Sequence, residues 1–108
     1  MTTPIGEFEV LVLMAVLRLD EGAYGPAVLK EIEHRTGRGV SRGAVYITLD
    51  RLAQKGLLGS RLADAPAEGG GRPRRYYRVA PKGLRAIKRM LTALEQMRAG
   101  LGPLLGEA

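Results

Sequence analysis

The 108-residue chain has no cysteine and no tryptophan, one phenylalanine and one histidine. Without cysteine it can form neither a disulfide nor a thiolate metal site. With His34 as the lone imidazole, a zinc site also lacks its usual nitrogen ligands, so no metal or cofactor is expected. His34 falls near the end of a predicted helix, where a positive group suits the dipole. Catalytic signals are equally scarce. Ser41 has no base placed near it in any recognisable pattern. "EGGGRPRR" lacks the Gly-Lys-Ser/Thr ending of a phosphate loop, and an enzyme is not expected. The longest apolar run, "VLVLMAVL" at 10 to 17, is far short of the roughly 20 residues of a membrane span. "MTTPIGEFEV" carries no secretory signal pattern, and a cytoplasmic location is the expectation.

The chain does carry positive charge, and it is unevenly spread. Residues 1 to 40 hold four Lys/Arg against six Asp/Glu, whereas 41 to 108 hold thirteen against five, within a net charge of +6. Clustered arginine favours an anionic polymer, because neutralising phosphates releases condensed counterions. Charge alone does not separate DNA from RNA or an acidic membrane surface. The length suits one compact body, divided here into residues 1–80 and a C-terminal helix with a frayed tail, 81–108.

Periodicity predicts the elements. "IGEFEVLVLMAVLRLD" is rich in Leu, Met and Ala and reads as a helix with two apolar sides. Ile5, Phe8, Val12, Val16 and Leu19 make one side; Val10, Leu13, Met14 and Leu17 make the other, for which a second subunit is the expected cover. A second helix starts near Pro26, buries Val28, Leu29 and Ile32, and stops at Gly37 or Gly39. A third follows in "SRGAVYITLDRLAQKGLL", capped by Ser41 and closed by Gly56. Steps of about 100° per residue group Val45, Thr48, Leu49 and Leu52 on one side. Gly43, Ile47, Asp50 and Gln54 fall opposite, with Arg42, Tyr46 and Arg51 near the edges.

"LLGSRLA" and "RRYYRVA" read as a hairpin, with Tyr77 turned to the core and Tyr76 half exposed. Between them lies "DAPAEGGGRP", expected to be a mobile tip at Gly69 to Gly71 beside Arg72, Arg74 and Arg75. The last helix carries Leu84, Ile87, Leu91 and Leu94 at seam-like spacing, extended by Met90, Met97 and Leu101, and is expected to pair with a partner helix.

This order is that of a mainly α winged helix-turn-helix with a small β-hairpin and a C-terminal dimerisation helix. Its recognition helix would present Ser41, Arg42, Gly43, Tyr46, Ile47 and Arg51 to DNA, and its wing Arg72, Arg74 and Arg75. The expected dimer surface is Val10, Leu13, Met14 and Leu17 with Leu84, Ile87, Leu91, Leu94 and Met97. A winged-helix protein-assembly module and a small RNA-binding factor remain the alternatives. Neither needs slim glycine and arginine on the outer arc, and the chain has few aromatic platforms for single-stranded RNA.

"SRGAVYITLDRLAQKGLL", a variable wing and then "GRPRRYYRVAPKGLRAI" resembles the PadR family of bacterial transcriptional regulators. That family typically shows a Gly-x-x-Tyr recognition helix followed by Arg-Leu and Gly-Leu, then a basic Tyr-Tyr-Arg strand and a Lys-Gly. The likeness spans nearly the whole chain. It implies a homodimeric repressor on an imperfect palindrome, with the first and last helices making the dimer in a short form with one C-terminal helix. Tyr46 takes the place of the family's recognition-helix tyrosine, and Arg72, Arg74 and Arg75 that of its basic wing. Three positions depart from the pattern. Ile47 stands where proline is frequent, Asp50 where a basic or polar residue is common, and Ala80 where a threonine would cap the last helix, worth about 1 kcal/mol. Some members take planar effectors between subunits; with Phe8 and no tryptophan, this chain offers little stacking surface and specifies no effector.

Overall fold

Helix α1 (Glu7–Leu19) opens with Glu7 and Glu9 in its first turn, where the helix dipole favours carboxylates. The Gly6 amide donates to Glu9 Oε1 at 3.0 Å, satisfying a backbone group that a helix start leaves free. Asp20 ends the repeat with φ 53°, a region aspartate tolerates better than most residues. A 3₁₀ turn over Asp20–Gly22 leads to α2 (Gly25–Thr36), which ends at Gly37 in the left-handed conformation. Helix α3 (Arg42–Gln54) is capped by Ser41, whose Oγ accepts from the Ala44 amide at 3.1 Å. It closes at Gly56, φ 78°. There the Gly56 amide returns to the Ala53 carbonyl at 3.0 Å and the Leu57 amide to the Leu52 carbonyl at 2.9 Å. This paired closure satisfies two end carbonyls and turns the chain sharply out of the helix.

The hairpin follows as β1 (Leu58–Ala63) and β2 (Arg74–Val79), antiparallel, with Leu58 opposite Val79 and Ala63 opposite Arg74. Tyr24 bridges to Tyr76, and the Tyr77 amide donates to the Ala23 carbonyl at 2.8 Å, so the turn before α2 is stitched to the hairpin. Helix α4 (Pro81–Arg98) starts at Pro81 without a side-chain cap from Ala80. The computed structural model describes residues 5–64 and 72–107, and the expectation of a mobile tip at Gly69 to Gly71 lies outside them.

One core joins all of these elements. Val12, Leu13 and Val16 of α1 meet Val28 and Ile32 of α2, Val45, Leu49 and Leu52 of α3, Leu57 and Leu58 of the hairpin, and Ala86 and Ile87 of α4. The two sides of α3 are as the helical period predicts: Val45, Thr48, Leu49 and Leu52 are buried, while Gly43, Ile47, Asp50 and Gln54 are exposed.

Two expectations are corrected. Val10, Leu13 and Ile87, expected on a partner-facing surface, lie inside the chain's own core. The reason is that α2, α3, β2 and α4 all pack on α1, so the first side and much of the second are covered within the chain. Met14 is half-buried and Leu17 is 50% exposed, and these two stay near the surface. The tail, expected to fray, forms a 3₁₀ turn at Pro103–Leu105 instead. An Arg98–Glu107 ion pair of 2.7 Å and the Glu107 amide on the Gly102 carbonyl at 2.9 Å tie it back. Helix α4 divides in two: Gly83, Ala86 and Ile87 are buried, and every residue from Leu91 to Arg98 is exposed. Among the described residues no helix is long and apolar enough to cross a membrane.

The closing turn of α3 is also tied to the first and last helices. Lys55 Nζ lies 3.1 Å from Glu9 Oε2, and Lys82 Nζ donates to the Lys55 carbonyl at 2.9 Å. The Glu9 side chain is only 12% exposed. Burial opposes its ionisation, but the Gly6 amide and the Lys55 ammonium, with Arg51 further off, outweigh that and hold the carboxyl below its ordinary value. A depressed folded-state value stabilises the fold above the unfolded carboxyl value, about 4.3, and loses that stabilisation as the pH falls through the folded value. Glu9→Gln should therefore cost about 1 kcal/mol near neutrality. In urea titrations the gap from wild type should close progressively below about pH 4; a gap that stays constant down to about pH 3 would show that the charge is not what matters.

Candidate nucleic-acid interface

The outward side of α3 and the inner side of the hairpin enclose a groove of about 670 Å³. Tyr46, Ile47 and Asp50 form its helix wall, and Arg72, Arg74, Arg75 and Tyr77 its hairpin wall. The start of α2, through Tyr24, Gly25 and Pro26, closes one end. Sequence reasoning did not assign Tyr24, Gly25 or Pro26 to this site. Their signal is the "AYGP" turn itself, which brings a helix start beside the wing.

The expected contact residues divide by position. Arg42 and Gly43 are exposed in the first turn of α3. A Cβ added at Gly43 would meet nothing within 4 Å among the described residues, so no packing there calls for glycine, and the open space faces outward. Ser41 is exposed and its Oγ is engaged as the cap. Ile47 is 61% exposed, a large apolar side chain presented at the groove. Arg51 is exposed but does not line the groove; its charge is felt by Glu9, on the side of α1. Arg72, Arg74 and Arg75 all reach the groove.

Tyr46 has two surroundings at once. It is 42% exposed, yet its ring lies against the first turn of α2, so closely that a Cβ at Gly25 would fall within the ring. The glycine admits the tyrosine, and the tyrosine in turn is held at the groove by the glycine.

The hairpin arginines are steered by aromatic faces. The Arg74 guanidinium carbon lies 4.5 Å from the centroid of the Tyr24 ring, and that of Arg61 lies 4.8 Å from Tyr76. The two tyrosine rings are 5.7 Å apart and tilted by 48°. Guanidinium, ring, ring and guanidinium thus form one stack, a cation–π arrangement that stiffens long side chains. Arg75 Nη1 donates to Ser60 Oγ at 3.1 Å across the strands. Tyr77 is half-buried, and burial raises its phenol above the ordinary value; Arg75 opposes that shift, while Asp50 and Tyr46 add to it. Sequence reasoning did not single out Arg61 either, because its role depends on which strand faces Tyr76.

A helix capped by serine, carrying an exposed outer stripe and set against an arginine-bearing hairpin, is the DNA-reading half of a winged helix-turn-helix protein. Residues 13–89 match the Transcriptional regulator PadR-like family, and the chain belongs to that family of DNA-binding transcriptional regulators. It is 39% identical over 80 residues to Transcriptional regulator Rv3488 of Mycobacterium tuberculosis, covering 72% of this chain and 68% of that protein. Among solved structures, a PadR family transcriptional regulator from Eggerthella lenta aligns with TM-score 0.70 at 31% identity, over 92% of this chain and 86% of that one. A PadR-like transcriptional regulator from Bacillus cereus aligns with TM-score 0.73 at 23% identity, over 94% and 93% of the two chains; that likeness is one of fold.

The Gly25–Tyr46 fit is open to test. Gly25→Ala should cost about 1–3 kcal/mol through overpacking against the ring. In a Tyr46→Ala background the same change should cost nothing or stabilise slightly, because alanine is the better helix residue. Equal penalties in both backgrounds, measured by chemical denaturation of the four proteins, would place the need for glycine in the backbone rather than in the ring.

Proposed function

We propose that the chain acts in the cytoplasm as a homodimeric repressor, binding an imperfect palindrome in double-stranded DNA. The observation that carries this reading is that the outer stripe of α3 and three hairpin arginines open on one groove. In this reading Ser41, Arg42, Gly43, Tyr46 and Ile47 enter the major groove, with Ile47 against a thymine methyl. Arg72, Arg74 and Arg75 follow the adjacent backbone or minor groove. Arg51 joins them only at the margin, since its side chain sits toward α1. Repression needs no surface beyond these, because occupancy of the duplex suffices.

The far half of α4 supports the homodimer. Leu91, Leu94 and Met97 are 41%, 57% and 77% exposed, and a helix with no partner gains nothing from an aliphatic stripe. Leu11, Met14, Ala15 and Ile32 line a largely apolar groove of about 180 Å³ between α1 and α2. Leu17 and Leu84 are exposed as well. Two copies could close these surfaces on each other, and their recognition helices would then meet half-sites about one helical turn apart, roughly 34 Å.

Selection of bound duplexes from a random pool tests the reading directly, and a paired motif with regular spacing is the expected result. Replacing Arg72, Arg74 and Arg75 together with alanine should weaken binding to all duplexes. It should also lower the dependence of log affinity on log salt by about 0.9 for each phosphate that is no longer neutralised; an unchanged slope would remove the hairpin from the interface. For the homodimer, Leu91→Glu with Leu94→Glu should convert a dimer at micromolar concentration into a folded monomer in sedimentation. A wild-type monomer under those conditions would sink the palindrome.

A further inference from the structure

Asp50 stands on the outward stripe of α3, one turn beyond Ile47, and is exposed. Arginines 72, 74 and 75 line the same groove, yet among the described residues no ion pair joins any of them to Asp50. Its hydrogen bond is with Gln54 Nε2 at 3.3 Å, which leaves most of the acceptor capacity of the carboxylate open. A carboxylate in this position has nothing favourable to offer a phosphate. Brought against DNA it would be repelled and stripped of water, and only a hydrogen-bond donor on a base edge can offset that.

The major-groove edges narrow the choice. Guanine presents two acceptors there and thymine one, so both repel a carboxylate. Adenine has a donor at N6 but an acceptor at N7 beside it, which would face the second carboxylate oxygen. Cytosine offers the N4 donor and no such neighbour on its own edge.

We propose that Asp50 reads the N4 amino group of a cytosine in each half-site, so that this unpaired carboxylate beside an arginine-lined groove contributes base choice rather than affinity. The inference rests on the DNA-binding reading above and adds to it the base class at one position. It also accounts for the open groove around Asp50: a salt bridge to Arg75 or Arg72 would quench both the carboxylate and the arginine before DNA arrives.

The test is duplex selection with wild type, Asp50→Asn and Asp50→Ala, followed by titration of single-position variants of the selected site. Wild type should enrich cytosine at one position of each half-site, and replacing that base pair should weaken binding on the order of tenfold. Asp50→Asn should move the preference to adenine, because an amide can donate to N7 while accepting from N6. Asp50→Ala should erase the preference at that position and leave the others intact. Identical base preferences in all three proteins would overturn the inference and leave DNA binding standing. Variants that bind every duplex more tightly with no change in preference would reduce Asp50 to a repulsive group, and would also overturn it. A wild-type protein that enriches no duplex would overturn both readings. Because Asp50 is exposed, thermal melts of the three proteins should nearly coincide, which keeps folding defects separate from the binding result.

Discussion

The turn that closes α3 at Gly56 is the constraint on which the other elements depend. Its left-handed glycine lets the Leu57 amide reach back to Leu52, and the chain leaves in the one direction that starts β1 with Leu57 and Leu58 in the core. The Leu57 carbonyl then accepts from the Ala80 amide at 3.0 Å, fixing where β2 ends and α4 begins. A Cβ at Gly83 would strike that same carbonyl, so α4 can approach this corner only because its first turn carries a glycine. With Lys55 holding Glu9 and Lys82 holding the Lys55 carbonyl, the first helix, the third, the hairpin and the last are registered to one point. The direction in which the hairpin leaves α3, and so one side of the groove, follows from that corner.

The groove is also shaped by the residues that close its end. Tyr46 is placed by the absence of a side chain at Gly25, and Arg74 by the face of Tyr24. Both supports come from the turn into α2, whose Ala23 carbonyl and Tyr24 are bonded to β2. Long arginine side chains lose much of their freedom on binding. The Tyr24 face restricts Arg74 beforehand and Ser60 does the same for Arg75, which lowers that cost and directs both guanidinium groups to partners other than the carboxylate of Asp50. A surface with three cations and one anion in reach of each other would ordinarily neutralise itself; here the geometry keeps the charges apart.

Much of this was legible in the sequence where the signal is local. The cap at Ser41, the stop at Gly56, a stop at either Gly37 or Gly39, and the two sides of α3 follow from backbone chemistry and helical period. The hairpin strands follow from alternation. What was not legible is what depends on which element covers which. Helix α1 has apolar residues on two sides, and the sequence cannot say that other elements of the same chain bury Val10 and Leu13, on the side assigned to a partner. Likewise an arginine cluster states a charge but not a direction, so the stacking of Arg74 on Tyr24 and of Arg61 on Tyr76 emerged only from the pairing of strands. The last turn, Pro103–Leu105, looked like a breaker sequence, and its order comes from a pairing between Arg98 and Glu107 that lies nine residues apart and has no periodic signature.

Helix α4 joins the core to the open surface physically. Its first turns complete the core through Ala86 and Ile87, while the same helix continues for two further turns in which every residue is exposed. Because the helix is continuous, anything that orders its far half also restrains the near half against α1 and the corner at Leu57. In the dimeric reading, association would therefore stabilise the fold by mass action and would stiffen the corner that sets the groove. Apparent stability and DNA affinity would then rise together with protein concentration, through one helix rather than through two separate effects.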